Sequence, residues 1–148
     1  MLGRLALYLR FFGHDTSYAR GWEDDRIAEE ALRGGRTLLT RDRSLARRVP
    51  GALCLRSHEI GEQLREVRAA FPEFAYVPTF DRCPECNSPL ERWRPGPDEA
   101  WPPDVPRERV ESGLPLYRCP SCGGRYWDGS HTDRIREKVA QWLEGPTP

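Results

Sequence analysis

Thr37-Leu38-Leu39-Thr40-Arg41-Asp42 opens the stretch from which the fold of this chain is read, and the run that follows it to Pro72, RSLARRVPGALCLRSHEIGEQLREVRAAFP, repeats the theme. Thr37 to Thr40 is a short apolar, β-favouring segment between Gly34-Gly35 and a block of charge, which is the pattern of a buried strand. A short helix around Ser44 to Arg48 follows and stops at Pro50-Gly51. Ala52 to Leu55 is a second strand of the same kind. Ile60, Leu64, Val67 and Phe71 then fall on one face of an amphipathic helix that Pro72 closes. Strands that alternate with helices predict a parallel sheet flanked by helices, because parallel neighbours need a crossover and a helix is the usual one. The fold class is α/β.

Towards the N-terminus, Leu2, Leu5, Ala6, Leu9 and Phe12 recur at helical spacing, and Gly13 ends that helix. Asp15 to Ala19 reads as a short strand. Asp24 stands as the N-cap of a helix that buries Ile27, Ala28, Ala31 and Leu32 and stops at Gly34-Gly35. Beyond Phe74 the composition changes: prolines and tryptophans multiply, helical periodicity fades, and paired cysteines begin. Ile135 to Leu143 predicts a last short helix, with a frayed tail from Gly145. The expected organisation is a first domain over residues 1–80, a cysteine-rich module over 81–133, and a helix with its tail over 134–148.

A chain of 148 residues can bury one modest core and a small satellite that needs help to fold. The formal net charge is zero, so no global field advertises a nucleic-acid partner, and any such partner must be argued locally. Arginine supplies nearly all the positive charge, Lys138 being the only lysine, a bias that a GC-rich coding sequence explains without function. No stretch is long and apolar enough to span a bilayer. Arg4 and Arg10 interrupt the N-terminal apolar run and no small-residue cleavage site follows, so a cytoplasmic location is expected.

Four of the five cysteines form two pairs, Cys83-Pro84-Glu85-Cys86 and Cys119-Pro120-Ser121-Cys122. Each spacing lets a tight turn aim two thiolates at one point, and two turns complete a tetrahedron around zinc. Asn87 after the first pair and Gly123-Gly124 after the second tolerate the left-handed backbone that such a turn needs. Four thiolates leave no open position, so the zinc is expected to be structural. The competing reading, two separate redox dithiols, fits poorly with pairs that carry proline in a loop-rich stretch. Cys54 is expected to be an inert core residue. Trp93, Trp101 and Tyr117, between the pairs, could be core or could stack bases, with core as the commoner fate of such residues.

Ligands of parallel sheets gather at the carboxyl ends of the strands. Asp42 lies there, and Asp24 and Asp25 open the helix that precedes the first strand. Such carboxylates could hold Mg²⁺ or Mn²⁺ for phosphodiester cleavage. Each also has a plain structural explanation: Asp24 and Asp42 as helix caps, Asp25 as a charge favoured by a helix dipole. Arg4, Arg10, Arg41 and Arg43 are candidates for phosphate contacts, with solvated surface as the commoner fate of such residues. His131 is either a phosphate contact or a packing residue.

Met1-Leu2-Gly3-Arg4-Leu5-Ala6, Leu9-Arg10, Gly13, Asp24 before a helix, Leu39-Thr40-Arg41-Asp42, Arg56-Ser57, Gln63-Leu64, Val105-Pro106, and Tyr126-Trp127 with Gly129-Ser130-His131 together resemble the Mut7-C ribonuclease family. The resemblance runs from Met1 to about Asp133. It implies a PIN-like nuclease domain followed by a zinc ribbon, metal-dependent cleavage of RNA, and Asp24 and Asp42 as metal-binding carboxylates with Asp25 as a third. The family's pattern begins upstream of Met-Leu-Gly with a strand bearing another aspartate. A chain starting at Met1 is therefore expected to lack that strand and ligand, and a catalytically inactive RNA- or protein-binding module is the alternative function.

Overall fold

The computed structural model describes residues 2–145. Along the chain these form α1 (Gly3–Phe11), α2 (Asp24–Arg33), β1 (Leu39–Thr40), α3 (Arg43–Arg48), β2 (Leu53–Cys54), α4 (Ile60–Ala70), β3 (Glu91–Trp93), α5 (Arg107–Glu111), β4 (Leu116–Arg118), β5 (Arg125–Trp127) and α6 (Ser130–Glu144). Two compact units emerge. One takes in the chain up to Ala6, Ser17–Phe74, and Trp142 onward; the other takes in Leu7–Thr16 and Ala75–Gln141.

The first unit is mixed α/β with a small parallel sheet. β1 and β2 pair in parallel, Leu39 opposite Leu53 and Thr40 opposite Cys54. The ladder continues one residue further, with the Leu55 N–H donating to the Thr40 carbonyl at 2.8 Å. α3 is the crossover. Ala28 and Ala31 of α2 pack with Leu45 and Val49, and Ile27, Leu38 and Ala52 border that cluster. On α4 the spacing Ile60, Leu64, Val67 gives a buried stripe, as its periodicity predicts.

Polar groups at the element ends are satisfied by side chains. Glu66 of α4 accepts from the N–H groups of Arg56 at 2.9 Å and Ser57 at 3.1 Å, closing the turn after β2. Arg65 and Arg68 donate to the carbonyls of Trp142 and Leu143, two of the carbonyls that a helix C-terminus leaves without an internal partner.

The second unit is built on an antiparallel sheet of order β3-β4-β5. Leu116 pairs with Trp93 on one side and Trp127 on the other. Phe80 stacks flat on Tyr117, ring centroids 5.0 Å apart. Ahead of α6, Asp128 receives both terminal nitrogens of Arg136 at 2.7 Å, and these hydrogen bonds hold its carboxyl below the usual range.

Several expectations need correction. Asp15 to Ala19 forms no strand: the Thr16 N–H goes to the Asn87 side chain and the Thr16 carbonyl to Arg10, so that backbone has no ladder to join. α2 begins at Asp24 with Glu23 as the capping residue and no side-chain cap bond; Asp24 acts there as first-turn charge. α6 starts at Ser130, five residues before its apolar stripe. α5 was not expected. Leu53 and Cys54 are half-buried, not fully inside. The tail beyond Gly145 lies outside the described residues.

Gly61 of α4 meets the Trp142 ring. A Cβ there would lie 2.7 Å from Cδ1 and 2.9 Å from Cγ. Gly61→Ala should therefore cost about 1–3 kcal/mol of overpacking, partly offset by a helix-propensity gain of about 1 kcal/mol. Thermal unfolding followed by circular dichroism should show a lower Tm; an unchanged or higher Tm would mean that the indole moves aside freely.

Candidate metal centre and acidic sheet edge

Each cysteine pair closes the same turn. The Asn87 N–H donates to the Cys83 carbonyl at 2.8 Å and the Gly123 N–H to the Cys119 carbonyl at 2.9 Å. In return Cys83 N–H reaches the Ser88 carbonyl and Cys119 N–H the Gly124 carbonyl, both at 2.8 Å. Asn87 and Gly123 hold φ of 70° and 78°, left-handed values that asparagine and glycine tolerate best. The sequence motif thus specifies two near-identical knuckles.

The sulfur atoms of Cys83, Cys86, Cys119 and Cys122 all lie within 4.8 Å of one another. Cys83 Sγ is 3.6 Å from Cys122 Sγ, and Cys86 Sγ is 3.4 Å from Cys119 Sγ. Those separations are far too long for disulfides, about 2.05 Å. A ZnS₄ tetrahedron with bonds of about 2.3 Å has edges of about 3.8 Å. The donor set and its spacing fit a metal such as zinc. It is the one group of three or more possible ligands this compact among the described residues.

The thiols do not titrate alike. Hydrogen bonding from Ser88 pulls Cys86 down to about 6. At Cys122 the Gly124 N–H pulls downward, but desolvation and the neighbouring sulfurs outweigh it and push the thiol up to about 12. Tyr126 places its hydroxyl 3.1 Å from Cys83 Sγ. Burial, then that bond, raises the phenol above its ordinary value, so it stays a donor towards the sulfur. Gly124 leaves room for this ring, since a Cβ there would come within 2.6 Å of the hydroxyl.

Arg10 is only 9% exposed. Its guanidinium donates to the carbonyls of Thr16 at 2.7 Å, Pro84 at 3.2 Å and Glu85 at 2.9 Å. Two of those acceptors lie inside the first knuckle. Asn87 extends the link, accepting from the Thr16 N–H at 3.0 Å and donating to Asp15 at 2.7 Å. Of the four arginines proposed for phosphate contact, this one is committed to the metal knuckle. Nothing in its local sequence signals that role, because its two acceptors in the knuckle lie more than seventy residues away.

In the first unit, Leu39-Thr40-Arg41-Asp42 runs off the carboxyl end of β1. Buried Thr40 turns its hydroxyl back to accept the Asp42 N–H at 3.1 Å. Asp42 Oδ1 then caps α3, accepting from Ser44 N–H at 2.6 Å and Leu45 N–H at 2.9 Å. Arg41 lies against His58, beyond the end of β2, with Nη1 2.6 Å from Nδ1. Its Nε is buried and has no hydrogen-bond partner among the described residues. Asp24 and Asp25 occupy the exposed first turn of α2, and Asp25 pairs with Arg48. Arg4 and Arg43 are exposed. His58 escaped the sequence reading, since an isolated histidine after a strand carries no spacing signal.

These features define a chain with a small α/β unit and a second unit organised around four clustered cysteines. It belongs to the Mut7-C RNAse domain family, whose sequence model matches residues 1–139. No curated protein and no solved structure matches it. Among the described residues no helix is long and apolar enough to cross a membrane.

Two outcomes follow for the metal centre. Apparent zinc affinity, measured by chelator competition, should rise from pH 6 to pH 8, because binding must displace the proton that Cys122 retains up to about 12; an affinity independent of pH would exclude thiolate ligation. Arg10→Gln should lower that affinity by roughly 10- to 100-fold, the usual cost of losing an outer partner of a metal site, with less loss for Arg10→Lys.

Proposed function

We propose that this chain is a divalent-metal-dependent ribonuclease cleaving RNA phosphodiester bonds, with the α/β unit as a PIN-like nuclease domain and the cysteine-rich unit as a ribbon around a structural zinc. Membership of an RNase domain family across residues 1–139 carries the reading. What supports its placement is the carboxyl edge of the parallel pair. There a carboxylate, Asp42, stands next to Arg41, a guanidinium whose buried Nε has no partner among the described residues, and a buried N–H without an acceptor suits an anionic ligand.

Asp42, with Asp24 and Asp25, is the carboxylate set for Mg²⁺ or Mn²⁺. Hard oxygen donors fit such ions. These carboxylates do not form a three-ligand group as compact as the cysteines, so the reading needs the mode in which one or two carboxylates, water and substrate phosphate share the cation. When bound, the cation would activate water and offset charge on the phosphate. The chain's own contribution is to orient: the cap bonds from Ser44 and Leu45 fix the Asp42 carboxylate, and Arg41 and Arg43 offer positive charge for the RNA backbone. Asp25, held by Arg48, is the least available of the three.

Because capping alone is enough to account for Asp42, the alternative is a catalytically inactive module that binds RNA or a protein. Labelled RNA incubated with the zinc-loaded chain and Mg²⁺ or Mn²⁺ separates the two. Asp42→Asn keeps a good capping residue and removes the charge. Cleavage should fall by more than the roughly 10- to 100-fold that loss of a metal ligand's outer partner costs. Cleavage surviving in Asp42→Asn, or absent from the parent with both ions, would overturn the ribonuclease reading.

A further inference from the structure

α6 carries three basic side chains on one face. His131, Arg134 and Lys138 are spaced by three and four residues, all exposed, and they line one side of an open groove. The rest of its lining is apolar and aromatic: Leu7, Tyr8 and Phe11 of α1, with Ile135 of α6. All seven belong to the second unit. The Arg134 Nε donates to the Ser130 carbonyl at 3.2 Å, which fixes the start of the guanidinium along the helix. Asp133, the acid beside it, is bonded to Arg136 at 2.9 Å and so is drawn to a basic partner of its own. Lys138 lies in this groove although it is the only lysine of the chain.

We infer that this groove seats a single-stranded RNA segment, phosphates against His131, Arg134 and Lys138 and bases against Tyr8 and Phe11. The inference rests on the ribonuclease reading and adds to it a binding surface made of other residues. A row of basic side chains in one groove with aromatic rings matches the two things an unpaired strand presents, a phosphate chain and exposed base faces. A duplex matches poorly, because its base faces are stacked inside. An apolar peptide would use the rings and make no use of the basic side chains.

The test is binding, read by fluorescence anisotropy with a labelled unstructured RNA of about a dozen nucleotides across a potassium chloride series. The zinc-loaded chain carries Asp42→Asn, with no Mg²⁺ or Mn²⁺ added, so that cleavage does not intervene. The double variant Arg134→Gln with Lys138→Gln should bind at least about tenfold more weakly at low salt. Its plot of log affinity against log salt should be shallower by about 1.4, since each single-strand phosphate contact contributes about 0.7. Tyr8→Leu should weaken binding roughly fivefold or more through lost stacking while leaving the salt slope in place. Zinc content and Tm equal to the parent's show that each variant is folded.

Parent binding with an unchanged slope in the double variant would overturn the groove and leave the ribonuclease reading standing. Competition by polyphosphate as effective as by RNA, with Tyr8→Leu neutral, would also overturn it by reducing the surface to a general anion site. A parent that neither binds nor cleaves RNA would remove both readings together.

Discussion

Four sulfur atoms held within 4.8 Å of one another cannot all carry charge without a cation between them. The thiols accordingly differ: hydrogen bonding from Ser88 draws Cys86 down to about 6, while at Cys122 the Gly124 N–H is outweighed by desolvation and then by the neighbouring sulfurs, which push it up to about 12. A divalent ion removes the conflict and turns four mutually repelling groups into four ligands. The two knuckles lie more than thirty residues apart, and the segment between them buries few apolar side chains, Val105 and Leu116 among them. A segment with so small a core needs ligation free energy, about 10–16 kcal/mol for structural zinc in comparable peptides, to offset the cost of ordering it.

Around that centre the protein places groups that make sense only once the sulfurs converge. Arg10 surrenders hydration to sit at 9% exposure, and three carbonyls replace the lost water. A planar guanidinium can reach divergent acceptors from one position, which an ammonium does less well. The abundance of arginine still needs no functional cause. Its placement is another matter: Arg10 holds a knuckle, Arg136 forks onto Asp128, and Arg65 and Arg68 close the end of α6. Codon bias sets how many arginines there are; packing decides what each one does.

What the sequence revealed follows the range of the interactions. The parallel pair β1-β2, the helices on either side of it and the paired knuckles come from local patterns, namely apolar runs bounded by Gly and Pro and cysteines two residues apart. The capping role of Asp42 was readable for the same reason, since its bonds reach only two or three residues along the chain. Thr16, Arg10 and Tyr126 were not, because their partners lie from forty to more than seventy residues away. Asp15 to Ala19 looked like a strand because β-favouring residues show nothing of where their backbone bonds will go. The first turn of α6, Ser130 to Asp133, was missed because it has no apolar periodicity, although a polar first turn is what a helix start prefers.

Asp42 shows how a structural and a chemical demand can share one carboxylate. Both cap bonds fall on Oδ1, so capping does not by itself occupy Oδ2. The same bonds fix the orientation of the whole group, because an oxygen held by two backbone N–H groups leaves the other little freedom to wander. Thr40 reinforces this from the other side by anchoring the Asp42 N–H. A carboxylate so held meets a cation without first losing conformational entropy, which is the advantage that preorganised sites have over flexible ones. The capping role and the proposed metal-binding role are therefore not competing explanations of one residue: the cap supplies the rigidity that a metal ligand at the end of β1 would require.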